Sequence, residues 1–338
     1  MNVRNLRNRL LISLVFGILV YAGLSFYADL NDVLKSLGDF NWALLPLVLA
    51  LTSVNYVLRW VKWEYYLRII GVEGLSKWDS FLIFFAGLGM VVTPGKVGEW
   101  LKCYLLREMK GTSLARSAPI PIAERLTDSI ALLIIAGAGV LVFGNLWQVF
   151  VLVSLGAVLI VALSRHRPAA FALLGLGKRL PFVKRFIPQL EAFYESTYVL
   201  MSPAAVISMS LLSTFSWFFE VLAFYVTLAG LGLTGNGDLL LHSAFILPIA
   251  TLASAVLLTP GGLGVAEGSI TALSQQLLHM SKSSAAVAAL IIRFGTLWFG
   301  VIVGLIAFFI VTRRLPHTPA SSPPEPALAP AAELEART

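Results

Sequence analysis

The stretch VVTPGKVGEW, residues 91–100, interrupts one of the most apolar regions of this 338-residue chain. A Pro-Gly dipeptide follows the apolar residues 81–93, and the chain then continues with a lysine and a glutamate. Thirteen residues of helix measure about 20 Å, whereas a membrane crossing needs about 20 residues for roughly 30 Å of hydrocarbon. The sequence therefore predicts a re-entrant hairpin, in which two short helices meet at a Pro-Gly corner and leave by the face they entered.

The composition predicts an all-α, polytopic helical membrane protein. The chain is 58% hydrophobic and 13% charged, whereas soluble domains contain about 25% charged residues. Apolar segments fall near 10–28, 42–60, 81–93, 118–142, 147–163, 204–231, 240–258, 263–278 and 285–311. The net charge of +7 comes from basic residues in short loops, which indicates membrane topology and contact with anionic lipid rather than nucleic acid.

The Pro-Gly corner occurs twice, which predicts an internal repeat. Two signatures match at an offset of 166 residues: Thr93-Pro94-Gly95 with Gly98, and Thr259-Pro260-Gly261 with Gly264. Two downstream pairs match at 168 residues: Glu99 with Glu267, and Arg125 with Arg293. The predicted organisation is one integral membrane domain, 1–315, with repeats at about 42–163 and 204–312 and a cytoplasmic loop at 164–203. A disordered cytoplasmic tail, 316–338, follows.

The basic residues fall in alternate loops, which predicts the orientation of the chain. By the positive-inside rule both termini are cytoplasmic, the first hairpin opens from the cytoplasmic side, and the second opens from the outer side. The two repeats would then be inverted, an arrangement typical of secondary transporters. The segment 240–258 is long enough to span, so a full crossing there stays open.

The sequence contains no familiar enzyme motif, and neither catalysis nor a cofactor is expected. TPGKVGE is not a phosphate-binding loop, because valine follows the lysine where serine or threonine is needed. The four histidines form no ligand cluster, and no acyl-transfer triad or paired-carboxylate motif is present.

Each corner begins a new helix, whose first backbone N–H groups lack internal partners and attract phosphate or carboxylate. Glycines allow the backbone to approach a ligand closely, although helix packing also explains single glycines. Glu99 and Glu267 would hold the corners or bind a cationic head group.

Charged residues inside the apolar spans complete the predicted site. A charge at the centre of a span costs about 2.5–3.5 kcal/mol on insertion scales, so it must pair or face a cavity. Asp128 lies one turn after Arg125 and can pair with it, whereas Arg59 and Lys102 are expected to snorkel toward the membrane surface. Structural ion pairing and anion binding both stay open. The candidate substrate-binding residues are Pro94, Gly95, Lys96, Gly98, Glu99, Arg125, Asp128, Glu220, Pro260, Gly261, Gly262, Gly264, Glu267 and Arg293.

At PGKVGEW, PGGLGVAEGS and the downstream arginines, the chain resembles the lysylphosphatidylglycerol synthase transmembrane-region family. These are flippase-like integral membrane proteins related to the membrane half of the multiple peptide resistance factor, and the likeness covers most of residues 10–312. The resemblance implies two opposed re-entrant elements, translocation of an aminoacylated phospholipid or another lipid-linked substrate, and a bacterial inner membrane. A soluble aminoacyl-transfer domain would follow where the predicted tail lies, so aminoacylation is not expected.

Three functions follow from these observations. The first is a lipid flippase with membrane lipids as its ligands. The second is a transporter of a small anion or polyprenyl phosphate through the same site. The third is a non-transporting partner of a lipid-modifying enzyme or glycosyltransferase.

Overall fold

The structure is a computed structural model that describes residues 28–93, 97–143, 147–177, 185–256 and 259–315, together with Gly17, Val20, Ala22 and Gly23. Within those residues every regular element is a helix. The α-helices are α1 (Leu30–Asp39), α2 (Leu45–Ile69), α3 (Lys77–Leu88), α4 (Val97–Lys110), α5 (Leu114–Ser117), α6 (Pro119–Phe143), α7 (Trp147–Arg165), α8 (Arg167–Gly177), α9 (Ile187–Leu200), α10 (Pro203–Gly230), α11 (Gly237–Val256), α12 (Val265–Leu278), α13 (Lys282–Arg293) and α14 (Phe299–Thr312). Short 3-10 turns occupy Trp42–Leu44 and Pro260–Gly262, and the π-helical segment Phe294–Trp298 joins α13 to α14.

Four helical segments among the described residues are long and apolar enough to cross a membrane. They are Trp42–Ile69, Pro203–Gly230, Gly237–Val256 and Lys282–Thr312. The predicted class, an all-α polytopic membrane protein, is confirmed. The third segment corresponds to 240–258, and its length permits a full crossing, so its depth stays open. Most of the predicted first span, 10–28, and all of the predicted tail, 316–338, lie outside the described residues.

The outer surface of these helices is apolar at helical spacing. On α14, Ile302, Ile306 and Phe309 are half or more exposed, and they follow one another at intervals of three or four residues. Ile207 and Leu211 repeat the pattern on α10. In water such a stripe would promote association, whereas toward lipid it is the expected surface of a membrane helix.

The basic end of the molecule is defined by residues 70–77, 107–116 and 313–314. Arg116 Nε donates to the Ile70 carbonyl oxygen at 2.7 Å, and Arg314 Nε donates to Asp79 Oδ1 at 2.8 Å. A Cβ added to Gly74 would lie 3.4 Å from Lys110 Nζ. The residues before α3 and the end of α4 are therefore neighbours, so the chain between them goes into the molecule and returns.

The acidic end, residues 29–41, 230–238 and 281–282, is built in the same way. The Asn41 amide donates to the Gly230 carbonyl oxygen at 2.9 Å, and Val33 packs with Ala286 and Val287 at the start of α13. The chain between Gly237 and Lys282 thus also leaves one end and returns to it. This placement agrees with two hairpins that open at opposite ends, although their re-entry into a membrane stays a prediction.

Residues 164–203, predicted as a cytoplasmic loop, contain the helices α8 and α9. The side chains of Val199 and Leu200 are buried in the same core cluster as Trp63 and Leu67 of α2. The guanidinium carbons of Arg165 and Arg167 lie 3.9 and 4.0 Å from the centroid of the Tyr198 ring. The described part of this connection therefore packs against the rest of the molecule at the basic end.

A close contact of backbones fixes α3 against α14. A Cβ added to Gly304 would lie 2.1 Å from the Gly89 amide nitrogen, which no side-chain rotation relieves. We expect Gly304→Ala to destabilise the protein by about 1–3 kcal/mol through overpacking, measured as loss of monodisperse protein after heating in detergent. The matched control is Gly156→Ala on α7, where nothing lies within 4 Å of the new methyl group. It should be neutral or more stable by up to about 1 kcal/mol, and equal behaviour of the two variants would contradict the packing argument.

The two ends also generate a prediction on topology. In a Cys103→Ser background, cysteines at Lys77 and Lys110 should react with an impermeant maleimide from one side of the membrane. Cysteines at Asp238 and Lys282 should react from the other side, because they lie at the acidic end. Cys103 is fully buried, so its removal takes away background labelling without opening the surface. Labelling of the Lys77 and Lys110 positions from opposite sides would rule out the first hairpin.

Candidate functional site

The site is built around the crossing of α2 and α10. Asn55 Nδ2 donates to the Ser216 carbonyl oxygen at 2.9 Å, and Ser216 Oγ donates to the Asn55 carbonyl oxygen at 3.1 Å. Lys62 Nζ donates to Ser213 Oγ at 2.7 Å. From Asn55 to Lys62 the residue number rises along α2, whereas it falls from Ser216 to Ser213 for their partners on α10. The two helices are therefore antiparallel.

Two pairs of residues at or near this crossing have the same spacing in the sequence. Asn55 and Ser216 are separated by 161 residues, and Arg59 and Glu220, one turn further along each helix, have the same separation. Arg59 was predicted to snorkel from the end of a helix, and that prediction is wrong. The helix continues through Lys62 to Ile69, which places the guanidinium of Arg59 near its middle and against an internal cavity.

That cavity, the arginine cavity, has a volume of about 140 Å³. Its charged lining residues are Arg59 of α2, Arg125 of α6, Glu220 of α10 and Arg293 of α13. Three arginines and one glutamate from four helices therefore line the same cavity. The sequence predicted Arg125, Glu220 and Arg293 as members of one site, and the structure brings all three to the same cavity.

The second corner lies against this cavity and is held by an ion pair. Gly261, Gly262 and Gly264 have φ values of 60, 72 and 83°, a region in which a Cβ is strained. Arg293 Nη2 donates to the Gly261 carbonyl oxygen at 2.5 Å, and Arg293 Nε donates to Glu267 Oε1 at 2.8 Å.

The other carboxylate oxygen of Glu267 caps α12. Glu267 Oε2 accepts from the Gly264 amide at 2.7 Å. This bond occupies one of the N–H groups that were predicted to bind an anion. Glu267 is fully buried. Of its two predicted roles the geometry favours holding the corner over binding a cationic head group.

Most of the first corner lies outside the described residues, namely Pro94, Gly95 and Lys96. Gly98 and Glu99 fall in the first turn of α4, and their side-chain environment also lies outside what the structure describes, as does that of Pro260. Thr93, just before this corner, is buried and donates to the Met90 carbonyl oxygen at 2.6 Å. The equivalence of the two corners stays a prediction.

Asp128 belongs to a buried cluster that sequence reasoning missed. Its Oδ1 accepts from Lys62 Nζ at 2.5 Å and from Ser213 Oγ at 3.0 Å, and its Oδ2 lies 3.7 Å from Arg59 Nη2. The expected partner, Arg125, precedes it on its own helix, but these two cations come from α2. A search for partners three or four residues apart could not find them, because 66 residues separate Lys62 from Asp128.

A second buried ion pair lies beside the first. Lys102 Nζ of α4 donates to Glu124 Oε2 of α6 at 2.6 Å, and the ammonium lies 4.8 Å from the centroid of the Trp63 ring. The prediction that Lys102 snorkels to the surface is wrong, since its residue is only 5% exposed. Glu124 was not among the predicted site residues, although its position beside Arg125 inside an apolar span was a usable signal.

The fold and site define a polytopic helical membrane protein with a charged internal cavity. Residues 14–304 match the family described as the lysylphosphatidylglycerol synthase TM region, and the chain belongs to this family. Its relatives include a UPF0104 membrane protein of Methanothermobacter thermautotrophicus, 23% identical over 90% of this chain and 94% of that protein. A UPF0104 membrane protein of Methanocaldococcus jannaschii is 23% identical over 90% and 95%.

One further relative has a name that specifies an enzyme. The glycosyltransferase AglD of Haloferax volcanii is 22% identical over 82% of this chain. This match covers 50% of the length of AglD, so the chain spans half of that relative. The family name and the UPF0104 names describe membrane regions and membrane proteins, and AglD is named as an enzyme.

The Lys62–Asp128 pair gives a prediction on stability. Asp128→Asn should destabilise the protein by about 3–5 kcal/mol, because it leaves a buried ammonium without its counter-charge. The double variant Lys62→Met with Asp128→Asn should recover much of that loss, since neither charge then stays buried alone. Thermal unfolding in detergent measures both. If the double variant were the less stable of the two, the pair would not be the source of the effect.

Proposed function

We propose that this protein moves a phospholipid or another lipid-linked anionic substrate between the two leaflets of a membrane. The observation that supports this most is that Arg59, Arg125 and Arg293 line one cavity. The helices of Arg59 and Arg293 are long and apolar enough to cross a membrane. Guanidinium groups bind phosphate through paired N–H donors. Helices that need only to pack together do not require three such groups in one cavity.

An arginine that already forms an ion pair still has N–H donors left for a ligand. A guanidinium has five N–H donors and does not deprotonate in proteins. Arg293 uses Nε for Glu267 and Nη2 for Gly261, and it still lines the cavity. Further donors on this arginine are thus available for a phosphate oxygen.

The size of the cavity restricts what enters it. About 140 Å³ lies below the roughly 300–1,000 Å³ of typical pockets for drug-sized ligands. A phosphate or small head group fits this space, whereas acyl or prenyl chains would stay between the helices in the lipid. This division favours a lipid-linked substrate over a large solute.

The crossing of α2 and α10 supports alternating exposure of the site. The proposed repeats contribute one helix each, and the helices are antiparallel, as two inverted repeats require. Asn55 and Ser216 join them at matching positions. We propose that the two halves rock about this contact, with a site that two opposed re-entrant hairpins close from either side.

The basic end is proposed to face the cytoplasm. This assignment uses the positive-inside rule and puts both termini on that side of a plasma membrane. A bacterial inner membrane is the proposed location.

AglD supports a second candidate, in which the domain serves a lipid-modifying enzyme or glycosyltransferase without transporting anything itself. Its name specifies a glycosyltransferase, and this chain matches half of its length. A scaffold of this kind should tolerate Arg125→Lys. A transporter that binds phosphate should not.

The transport proposal predicts a specific loss of function. In phosphatidylcholine vesicles that contain acyl-labelled fluorescent phosphatidylglycerol, the protein should accelerate loss of the outer-leaflet signal during continuous dithionite reduction. Arg59→Lys and Arg125→Lys should fold but lose at least about tenfold in rate, because lysine offers a point charge instead of a planar fork. Arg313→Lys, at an exposed position of the basic end, is the matched control and should keep the wild-type rate.

Two results would count against the proposal. One is the absence of acceleration over protein-free vesicles across anionic and aminoacylated lipids. The other is uptake of inorganic phosphate by the same vesicles with no movement of labelled lipid, which would favour a transporter of a small anion.

A further inference from the structure

We infer that Glu220 is the resident counter-anion of the arginine cavity and takes up a proton when the substrate anion binds, so that anion and proton cross the membrane together. The inference rests on the proposed function and adds a coupling ion to it. Three observations support it: the position of Glu220, the groups around it, and a polar branch that leads away from the cavity.

Glu220 differs from the other buried carboxylates near the site. Asp128, Glu124 and Glu267 each form an ion pair with an N···O distance of 2.5–2.8 Å. None of the ion pairs among the described residues includes Glu220, although it is only 4% exposed and lines the cavity. Its carboxylate is thus the one lining anion that an incoming phosphate can replace without breaking a direct ion pair.

The titratable groups that line the cavity together with Glu220 are mostly cationic. Arg59 and Tyr56 come from α2, Arg125 from α6 and Arg293 from α13. Asp128 of α6 is a further carboxylate near these groups, and its Oδ2 lies 3.7 Å from Arg59 Nη2. The lining residues of α11 do not titrate: Leu247, Thr251, Ser254 and Ala255. Arg59 and Arg293 therefore offset part of the cost of burying a charge on Glu220 while no other anion is present.

A substrate phosphate changes that balance. It places a second negative charge among the same arginines, and like charges in one site favour protonation of one of them. A proton from water then binds a carboxylate oxygen of Glu220, and it leaves when the anion leaves. No covalent bond of the substrate is made or broken, and one monoanionic phosphodiester with one proton forms an electroneutral load.

A polar branch adjoins the arginine cavity on the side of α4 and α6. A smaller cavity of about 30 Å³ shares Arg59 and Arg125 with the arginine cavity and is also lined by Lys102, Glu124 and Asp128. Glu124 Oε1 and Asp128 Oδ2 are buried and accept no hydrogen bond from a described residue. A volume of this size holds one or two water molecules, which could relay a proton between these oxygens.

The branch exists in one half only. The positions 168 residues after Glu124 and Asp128 are Ile292 and Thr296, neither of which titrates. Glu124 is in the second turn of α6, which begins at the basic end. We place the proton entry on that side.

The test measures a distribution at equilibrium, so it does not depend on rates or on the orientation of the protein in the vesicle. Full-length protein is reconstituted with the labelled phosphatidylglycerol, and the lumen is made more alkaline than the bath by one pH unit. A coupled proton should draw label to the inner leaflet toward a ratio of about ten to one, because one unit corresponds to about a tenfold gradient. The fraction protected from a short dithionite pulse, added once the distribution is steady, reports this ratio.

Glu220→Gln should not concentrate the label in the inner leaflet at any gradient, because the neutral amide cannot exchange the proton. Asp238→Asn, an exposed acidic position of α11, is the matched control and should respond as the wild type does. A pH-sensitive dye in the lumen gives a second readout, in which wild-type protein should deliver one proton for each lipid moved.

The outcomes separate the two proposals. Wild-type protein that equilibrates the lipid but ignores the gradient, with no proton signal, would overturn the coupling and leave the transport proposal intact. Wild-type protein that moves no lipid would overturn the transport proposal itself. If Glu220→Gln does not fold, the wild-type proton count still decides whether coupling exists.

Discussion

The antiparallel crossing of α2 and α10 is the contact on which the rest of the site depends. Asn55 and Ser216 each satisfy a carbonyl oxygen on the other helix, and an unsatisfied polar group at that depth would cost several kcal/mol. The crossing sets the rotation of both helices. It therefore determines that Arg59 and Glu220 face inward rather than toward lipid, and that Lys62 reaches Ser213 and Asp128.

The charged residues near this crossing act on one another as a network. Arg293 joins the second corner to the cavity, since one guanidinium contacts both the Gly261 carbonyl oxygen and Glu267. A change in the corner therefore moves a donor that lines the cavity, and a ligand on that donor acts on the corner. This direct coupling gives a physical reason for a broken helix at this place, because a continuous helix would offer no free carbonyl group at Gly261.

Local patterns in the sequence predicted the class of the fold, the broken segments and several of the charged positions. Hydropathy placed the helices α6, α7 and α10 to within a few residues, because their apolar runs coincide with their hydrogen-bonded lengths. It ended α2 too early, near residue 60, because Lys62 and Glu64 resemble a surface loop. The structure shows that Lys62 is buried and paired, and this information lies in distant residues.

The partners of the buried charges could not be predicted from the sequence, because they too are distant along the chain. Lys62 meets Asp128, and Lys102 meets Glu124, across helices that no periodicity relates. Arg125, Glu220 and Arg293 could be predicted as site residues because a lone charge in an apolar span needs a partner or a cavity wherever it points. The position of a single charged residue in an apolar span is thus enough to predict that the charge has a role. To identify its partner, the tertiary fold must be known.

The buried charges are distributed unequally between the two halves, and this bears on mechanism. If the proposed repeats align at separations of 161 and 168 residues, the positions that correspond to Lys62, Lys102, Glu124 and Asp128 are Ala223, Ile270, Ile292 and Thr296. If the halves were identical, the conformations open to either side would have equal energy, and a substrate would equilibrate without preference. In the proposed transport cycle, four ionisable groups present in one half only would remove that equality, because water that enters this half would hydrate charges that the other half lacks. An ion that binds one of these two conformations better than the other shifts their populations. A gradient of that ion across the membrane can therefore act on the transport equilibrium.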